Sequence, residues 1–445
     1  MNRLPSYFPA ILVGLLALVL SGCTGLKLLE PAAMTTQNDC PDLTGTWSSD
    51  AYEVLAVAGD GTHQESGDVT MTLEVTEQQG CHFSAINRWG NAELAGVDYG
   101  GGVINPDGNW ITIQEVGESP VEGALGRVLG RLLDDHQMTW EYAAYSHERE
   151  RAIVFSTILA REGSPLRGED CPDMLGTWHS TPFAVLNVYG DGRINQQPNT
   201  TNTLEVVHQT NCHFRGINSW QSGELGGSEH VAGVLHSDGL QITILEVGEH
   251  PEEGTRAFVR GRLSNPDRLE WDYVGLSGID AWKGQAFTTA LTRTNEARAS
   301  TTEARTTALT NITEEQSRAS CPEMTGTWSS AAWEGLEVFA DGTHDVVNRS
   351  FKRFTIDEQM GCTVKGTNVY AARDGSDKVW METVIGVINA EQGLITSRSV
   401  APGPDGLTSL ITHRMVAENE IHAEYTGVSG DSRTVFVYLL ALMKE

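Results

Sequence analysis

Six of the seven cysteines fall as Cys40 with Cys81, Cys171 with Cys212 and Cys321 with Cys362, and every pair is separated by forty-one positions. Metal-binding thiolates come clustered two to four residues apart, and none of these cysteines has such a neighbour, so the spacing predicts one disulfide in each of three segments. Cys23 is left over, and an odd cysteine in a secreted chain needs its own explanation. The thirteen histidines are scattered without H-E-x-x-H spacing; His82 and His213 follow cysteines, but Thr363 stands at the matching third position. Gly275-Leu-Ser-Gly278 and Gly427-Val-Ser-Gly430 hold part of a nucleophile elbow, yet the first segment reads Ala143-Ala-Tyr-Ser146 there, which makes turn glycines the simpler reading. With no phosphate loop or dinucleotide fingerprint either, the sequence predicts no catalytic set, no metal site and no cofactor.

Binding chemistry has better candidates. Trp89, Trp220 and Tyr370 each follow an asparagine by two positions, namely Asn87, Asn218 and Asn368, and such aromatic and amide pairs suit the rim of a ligand site. Further on, Arg131 and Glu141, Arg262 and Asp272, and Arg414 and Glu424 are each ten apart around a polar turn. They are expected to face one another across antiparallel strands as exposed ion pairs worth about 0.2 to 1 kcal/mol. Strand alternation then puts Trp140 with Tyr142, and Trp271 with Tyr273, on the opposite face, the expected interior. The third segment keeps Tyr425 but has Ala423 for the tryptophan, Met415 for a leucine and His413 for a glycine, so its interior must be shaped differently.

These residues recur because the chain is a tandem repeat. The copies open Cys40-Pro-Asp-Leu-Thr-Gly-Thr-Trp47, Cys171-Pro-Asp-Met-Leu-Gly-Thr-Trp178 and Cys321-Pro-Glu-Met-Thr-Gly-Thr-Trp328, and align without a gap as far as Trp89, Trp220 and Tyr370. Three domains are expected at 40–162, 171–294 and 321–445, joined by a short linker at 163–170 and a flexible one at 295–320 that is rich in Thr, Ala, Glu and Arg. Within the first copy, β-branched and aromatic residues form eight short runs between Gly, Asp and Asn breakers: 44–57, 69–76, 82–89, 97–104, 110–116, 126–133, 138–145 and 151–161. Eight strands with short connections predict an all-β fold of three tandem antiparallel up-and-down barrels.

The ends of the copies sharpen that expectation. Each Gly-x-Trp is matched by a cation at the far end, Trp47 with Arg161, Trp178 with Arg293 and Trp328 with Lys444. The combination resembles the calycins, the superfamily of lipocalins and avidins, in which a first-strand tryptophan packs beneath an arginine of the last strand at the closed end of the barrel. Ser49, Ser180 and Ser330 or their neighbours stand where avidins carry their asparagine, so the resemblance does not extend to biotin.

The N-terminus is read as a signal peptide over residues 1–22: Arg3, an apolar run from Phe8 to Leu20, then Ser21 and Gly22. Leu20-Ser21-Gly22-Cys23 resembles the bacterial lipobox, which implies cleavage before Cys23, acylation of that cysteine including palmitate, and a tether over residues 23–39. Thr24 after the cysteine favours the outer membrane by the same resemblance. Acidic residues outnumber basic ones by 59 to 30, which argues against a nucleic-acid partner. The expectation is an envelope lipoprotein that carries its barrels as beads on a tether and binds without catalysis. Its ligand is either a small apolar or amphipathic molecule held in the barrels at Asn87, Trp89, Trp140, Tyr142 and their counterparts, or, with packed barrels, an envelope protein met at the surface.

Overall fold

The computed structural model describes residues 40–445 except 94, 106–107, 118–124, 147–150, 162–170, 237, 249–254, 278–282, 295–320, 350, 372–378, 401–407 and 430–432. The leader, Cys23, the tether and both linkers read from the sequence lie outside the described residues.

In the first copy the strands are β1 (Gly45–Ser49), β2 (Tyr52–Ala58), β3 (His63–Gln79), β4 (His82–Gly90), β5 (Ala95–Ile104), β6 (Trp110–Gly117), β7 (Leu125–Asp134), β8 (Gln137–Tyr145) and β9 (Arg151–Arg161). β1 and β2 are two halves of one kinked strand, for both pair with β3 on one side and β9 on the other. Next-neighbour antiparallel pairing through β3 to β9 therefore closes an eight-stranded barrel. The second and third copies close in the same way, and no helix occurs among the described residues.

The gap-free alignment of the openings has a geometric basis. The glycine of each Gly-x-Trp sits at positive φ, 112° at Gly45, 118° at Gly176 and 123° at Gly326, a backbone that L side chains rarely adopt. It turns the chain so that Trp47, Trp178 and Trp328 enter the core completely buried. Each indole donates its N–H to the carbonyl four residues back, at Leu43, Met174 and Met324. Arg161 lies 4.6 Å from the Trp47 ring centre, Arg293 4.3 Å from that of Trp178, and Lys444 5.2 Å from that of Trp328. Disulfides Cys40–Cys81, Cys171–Cys212 and Cys321–Cys362 tie each opening to the turn after the next long strand, each closing a separation of 41 residues. Loops of that size contribute about 4 kcal/mol by the chain-entropy account.

The barrels are not beads. Their outer walls are apolar as well as their interiors, and the walls meet in the same order three times. Leu55, Val57, Ala152 and Val154 on β2 and β9 pack on Ala232, Val234, Leu245 and Val247 of the second barrel. Leu186, Val188 and Ala286 of the second meet Ile385, Val387 and Val400 of the third. Leu336, Val338, Val435 and Val437 of the third come back to Val116 and Tyr99 of the first. Each barrel thus offers its first and last strands to the next barrel's middle strands, a head-to-tail contact that closes after three. Gly284 marks how close the walls come, since a Cβ there would lie 2.6 Å from Val400 and 2.8 Å from Ile385.

Where the three walls converge, the expected exposed ion pairs are replaced by a buried charge cluster. The register sets Leu129 opposite Glu141, Arg260 opposite Asp272 and Thr412 opposite Glu424, so Arg131, Arg262 and Arg414 are not the cross-strand partners. Arg131 instead lies 5.8 Å from the ring of Trp110, and Arg262 reaches Glu391 at 3.6 Å. Glu141, Asp272 and Glu424 are all buried. Glu424 lies in the field of Arg414 from its own barrel, Arg260 from the second and Arg127 from the first; burial pushes its carboxyl up and the three guanidiniums pull it back. Burial and Arg260 together lower Arg127 to about 9. Removing one member of such a cluster leaves like charges buried without compensation. Glu424→Gln is expected to destabilise the chain by roughly 3–5 kcal/mol in urea unfolding; an unchanged midpoint would mean that the cluster carries no structural weight.

Candidate functional site

Each barrel carries, one pleat further from the closed end than its core tryptophans, two facing walls of different chemistry. One wall is aromatic. Tyr52 of β2, Phe155 of β9 and Tyr142 of β8 stack with ring centres 4.7 Å apart on both sides of Phe155. The second barrel repeats this with Phe183, Phe287 and Tyr273 at 4.5 and 4.4 Å; in the third Tyr425 stacks on Tyr438 at 4.3 Å and Trp333 meets Tyr438 at 4.3 Å with its plane tilted by 44°. Rings on adjacent strands stack because the interior positions of β2, β9 and β8 come level at this height.

The other wall is acidic. Asn87 donates to Glu115 Oε1 at 3.1 Å, and the Trp89 indole N–H donates to Asp98 Oδ2 at 2.6 Å. In the second barrel Asn218 donates to Glu246 Oε1 at 2.8 Å and Trp220 to Glu229 Oε1 at 3.1 Å. The aromatic and amide residues singled out in the sequence therefore do come together, but each is turned toward a carboxylate, and Asp98, Glu115, Glu229 and Glu246 were not anticipated. Glu115 and Glu246 are almost fully enclosed, at 0 and 1% exposure. Burial, reinforced by the neighbouring carboxylate, holds both well above the ordinary range. Burial likewise pushes Asp98 up to about 6 and Glu229 up to about 7, against the lowering effect of their indole donors.

The third barrel keeps the frame and changes the charges. Glu382 occupies the place of Asp98 and Glu229 and accepts from Tyr370 at 3.0 Å, with Asn368 fully buried one strand away. Ser399 replaces the second acid and donates to Glu382 Oε2 at 2.7 Å. Lys352 stands where the first two copies have Met71 and Asn202, as the shared contact of Met71, Asn202 and Lys352 backbone N–H with Ser49, Ser180 and Ser330 shows. Its side chain is completely buried, donates to the Tyr438 hydroxyl, and places Nζ 4.6 Å from the Tyr438 ring centre and 5.1 Å from that of Tyr425. Burial pulls this amine down to about 7, and Glu382 opposes the shift. A cavity of about 50 Å³ in this barrel is lined by Trp333, Tyr370, Tyr425, Phe436 and Tyr438 among others.

Trp140 and Trp271 belong to the layer beneath, packed into the cores that contain Trp47 and Trp178. The third barrel fills the same volume differently: Phe354 stands opposite Trp328 where the others have Leu73 and Leu204, and stacks on His413 at 4.6 Å above Ala423. No group of three or more metal-ligating side chains occurs among the described residues.

No family model and no curated protein matches the chain. Among solved structures it is similar to a protein of unknown function of the DUF3598 family from Nostoc punctiforme, at 12% identity over 57% of this chain and 96% of that one, with a TM-score of 0.28. It is also similar to isotype 1 transferrin binding protein B from Neisseria meningitidis, at 9% identity over 91% of this chain and 78% of that one, and to a mutant of transferrin binding protein B from Haemophilus parasuis, at 8% over 91% and 77%; both TM-scores are 0.21. At these values the likenesses carry no argument about function.

The raised acids make a pH prediction. A carboxyl whose folded pKa lies above its unfolded value contributes stability that is fully present below the unfolded value and is lost as pH rises through the folded one. For Glu229 that window runs from about 4.5 to about 7. Glu229→Gln, which keeps an acceptor for Trp220, should match the wild type in thermal unfolding near pH 4 and exceed it by a few degrees near pH 8. A difference that does not change with pH would contradict the enclosed acid pair.

Proposed function

We propose that the chain is a non-enzymatic envelope lipoprotein, anchored through Cys23, whose first two barrels bind a small amphipathic ligand between the aromatic and acidic walls. The observation that carries this reading is a set of buried polar atoms without partners at that level: Asn87 Oδ1 and Glu115 Oε2 in the first barrel, and Asn218 Oδ1, Glu229 Oε2, Asn202 Nδ2 and Thr200 Oγ1 in the second. Enclosed polar groups are nearly always satisfied, and those that are not mark places where a ligand or ordered water belongs. A purely apolar molecule would leave them unsatisfied, so the ligand needs both a polar head for the acids and an apolar body for the rings.

The third barrel supports a different use. Its walls are bridged from within by Lys352, which reaches the Tyr438 hydroxyl and lies over two rings. Val379 and Met381, at 55% and 70% exposure, leave apolar surface on the outer strand of that barrel, which favours a protein partner there.

Native mass spectrometry of the chain purified from its host membrane tests the reading. Up to two small-molecule mass increments per chain are expected, and Cys23→Ser should move the protein from the membrane to the soluble fraction. Bare protein would overturn ligand binding, and unchanged fractionation would overturn the anchor.

A further inference from the structure

The three interiors differ at one position in a way that names the chemistry of the missing group. Lys352 fills the space between the walls of the third barrel with an amino group that lies in the field of Glu382, on the Tyr438 hydroxyl and over two aromatic faces. The first two barrels keep the aromatic wall and the acid equivalent to Glu382, and add a second acid in the place of Ser399. They carry Met71 and Asn202 instead of the lysine. They therefore hold more negative chemistry than the third barrel and no cation of their own at this position.

We infer that the first two barrels take the ammonium group of an organic amine between their acid pair and aromatic wall, in the place that Lys352 fills from within in the third. The inference rests on the reading of these barrels as ligand sites. At the level of the walls the unpartnered atoms of the first barrel, Asn87 Oδ1 and Glu115 Oε2, are acceptors once the acid is ionised, as a bound cation favours, and so are Asn218 Oδ1 and Glu229 Oε2 in the second, where Thr200 Oγ1 and the donor Asn202 Nδ2 are also unpartnered. A primary ammonium brings three donors and a positive charge, where an alcohol brings one donor and an anion is repelled. The ring faces add the attraction of a cation for the aromatic quadrupole. A hard metal ion fits less well, because two carboxylates and an amide face a wall whose only oxygens are the neutral phenols of Tyr52 and Tyr142 in the first barrel and Tyr273 in the second, fewer charged oxygens than such an ion prefers. Asn202, with a shorter side chain than methionine or lysine, leaves more room in the second barrel than Met71 leaves in the first.

Isothermal titration calorimetry at neutral pH on the anchor-free chain, with methylamine, phenethylamine, cadaverine and tetramethylammonium as probes and 2-phenylethanol as the neutral control, decides the matter. A primary amine of the panel should bind at up to two sites per chain, with phenylethanol at least about tenfold weaker. The double variant Met71→Lys with Asn202→Lys should lose those sites, and Lys352→Asn should gain one in the third barrel, a result that misfolding does not produce. Equal binding of phenethylamine and phenylethanol would overturn the amine inference and leave the ligand reading intact. No binding by any probe would overturn the inference as well. In that case a neutral molecule retained in native mass spectrometry would keep the ligand reading, and bare protein would remove both.

Discussion

One carboxylate, Glu424, draws an arginine from every barrel, and the arrangement of the whole chain turns on that buried meeting point. Enclosed guanidiniums are costly, and Arg127 and Arg260 are both lowered by burial and affected by charges from other barrels. Such groups persist only where the surrounding structure over-determines their positions. Here that role falls to the apolar walls, which bring three barrel surfaces together in a closed cycle. Charge at the centre and hydrophobic contact around it fix the same geometry by different means: the walls exclude water, and the cluster penalises any other register between barrels.

While the outer walls are taken up in mutual packing, the interiors of the copies differ in chemistry. The closed ends are nearly identical, with a positive-φ glycine, a capped tryptophan and a disulfide in each. Above them the copies diverge by exchange of volume and charge rather than by change of fold. Tryptophan at 140 and 271 becomes Ala423 while Leu73 and Leu204 give way to Phe354 and Gly130 and Gly261 to His413, so the layer stays filled. At the next level a second acid becomes Ser399 and an uncharged residue becomes Lys352. Duplicated barrels held in one body can specialise in this way, since each interior is insulated from the others by its own wall.

The strands, their number and the disulfides were legible because they rest on local signals: the eight runs of the first copy fall within its strands, although the first run is broken between Ser49 and Tyr52 and the second extends from His63 to Gln79. The packing of barrel on barrel was missed for a physical reason. Arg151–Arg161 is apolar at adjacent positions such as Ile153, Val154 and Phe155, and a strand buried on both faces loses the alternation that separates core from surface. The arginine pairs were misassigned because a bulge between Leu132 and Asp134, with the tight turn after it, and the matching bulges and turns in the other copies shift the pairing by two residues. The acid wall was readable in principle. Glu115 and Glu246 occupy inward slots of otherwise apolar strands, after Ile111 and Ile113 and after Ile242 and Ile244, and a carboxylate in phase with a core is a sharper signal than the tryptophans that drew attention.

Small-angle X-ray scattering of the chain from residue 40 to 445 tests the closed cycle of barrels most directly. A single compact body of that length should give a radius of gyration of about 22 Å and a featureless, globular Kratky profile. A radius well above about 30 Å, varying with the length of the segment between the second and third barrels, would mean that the barrels move independently and that the walls and the charges around Glu424 do not hold them together.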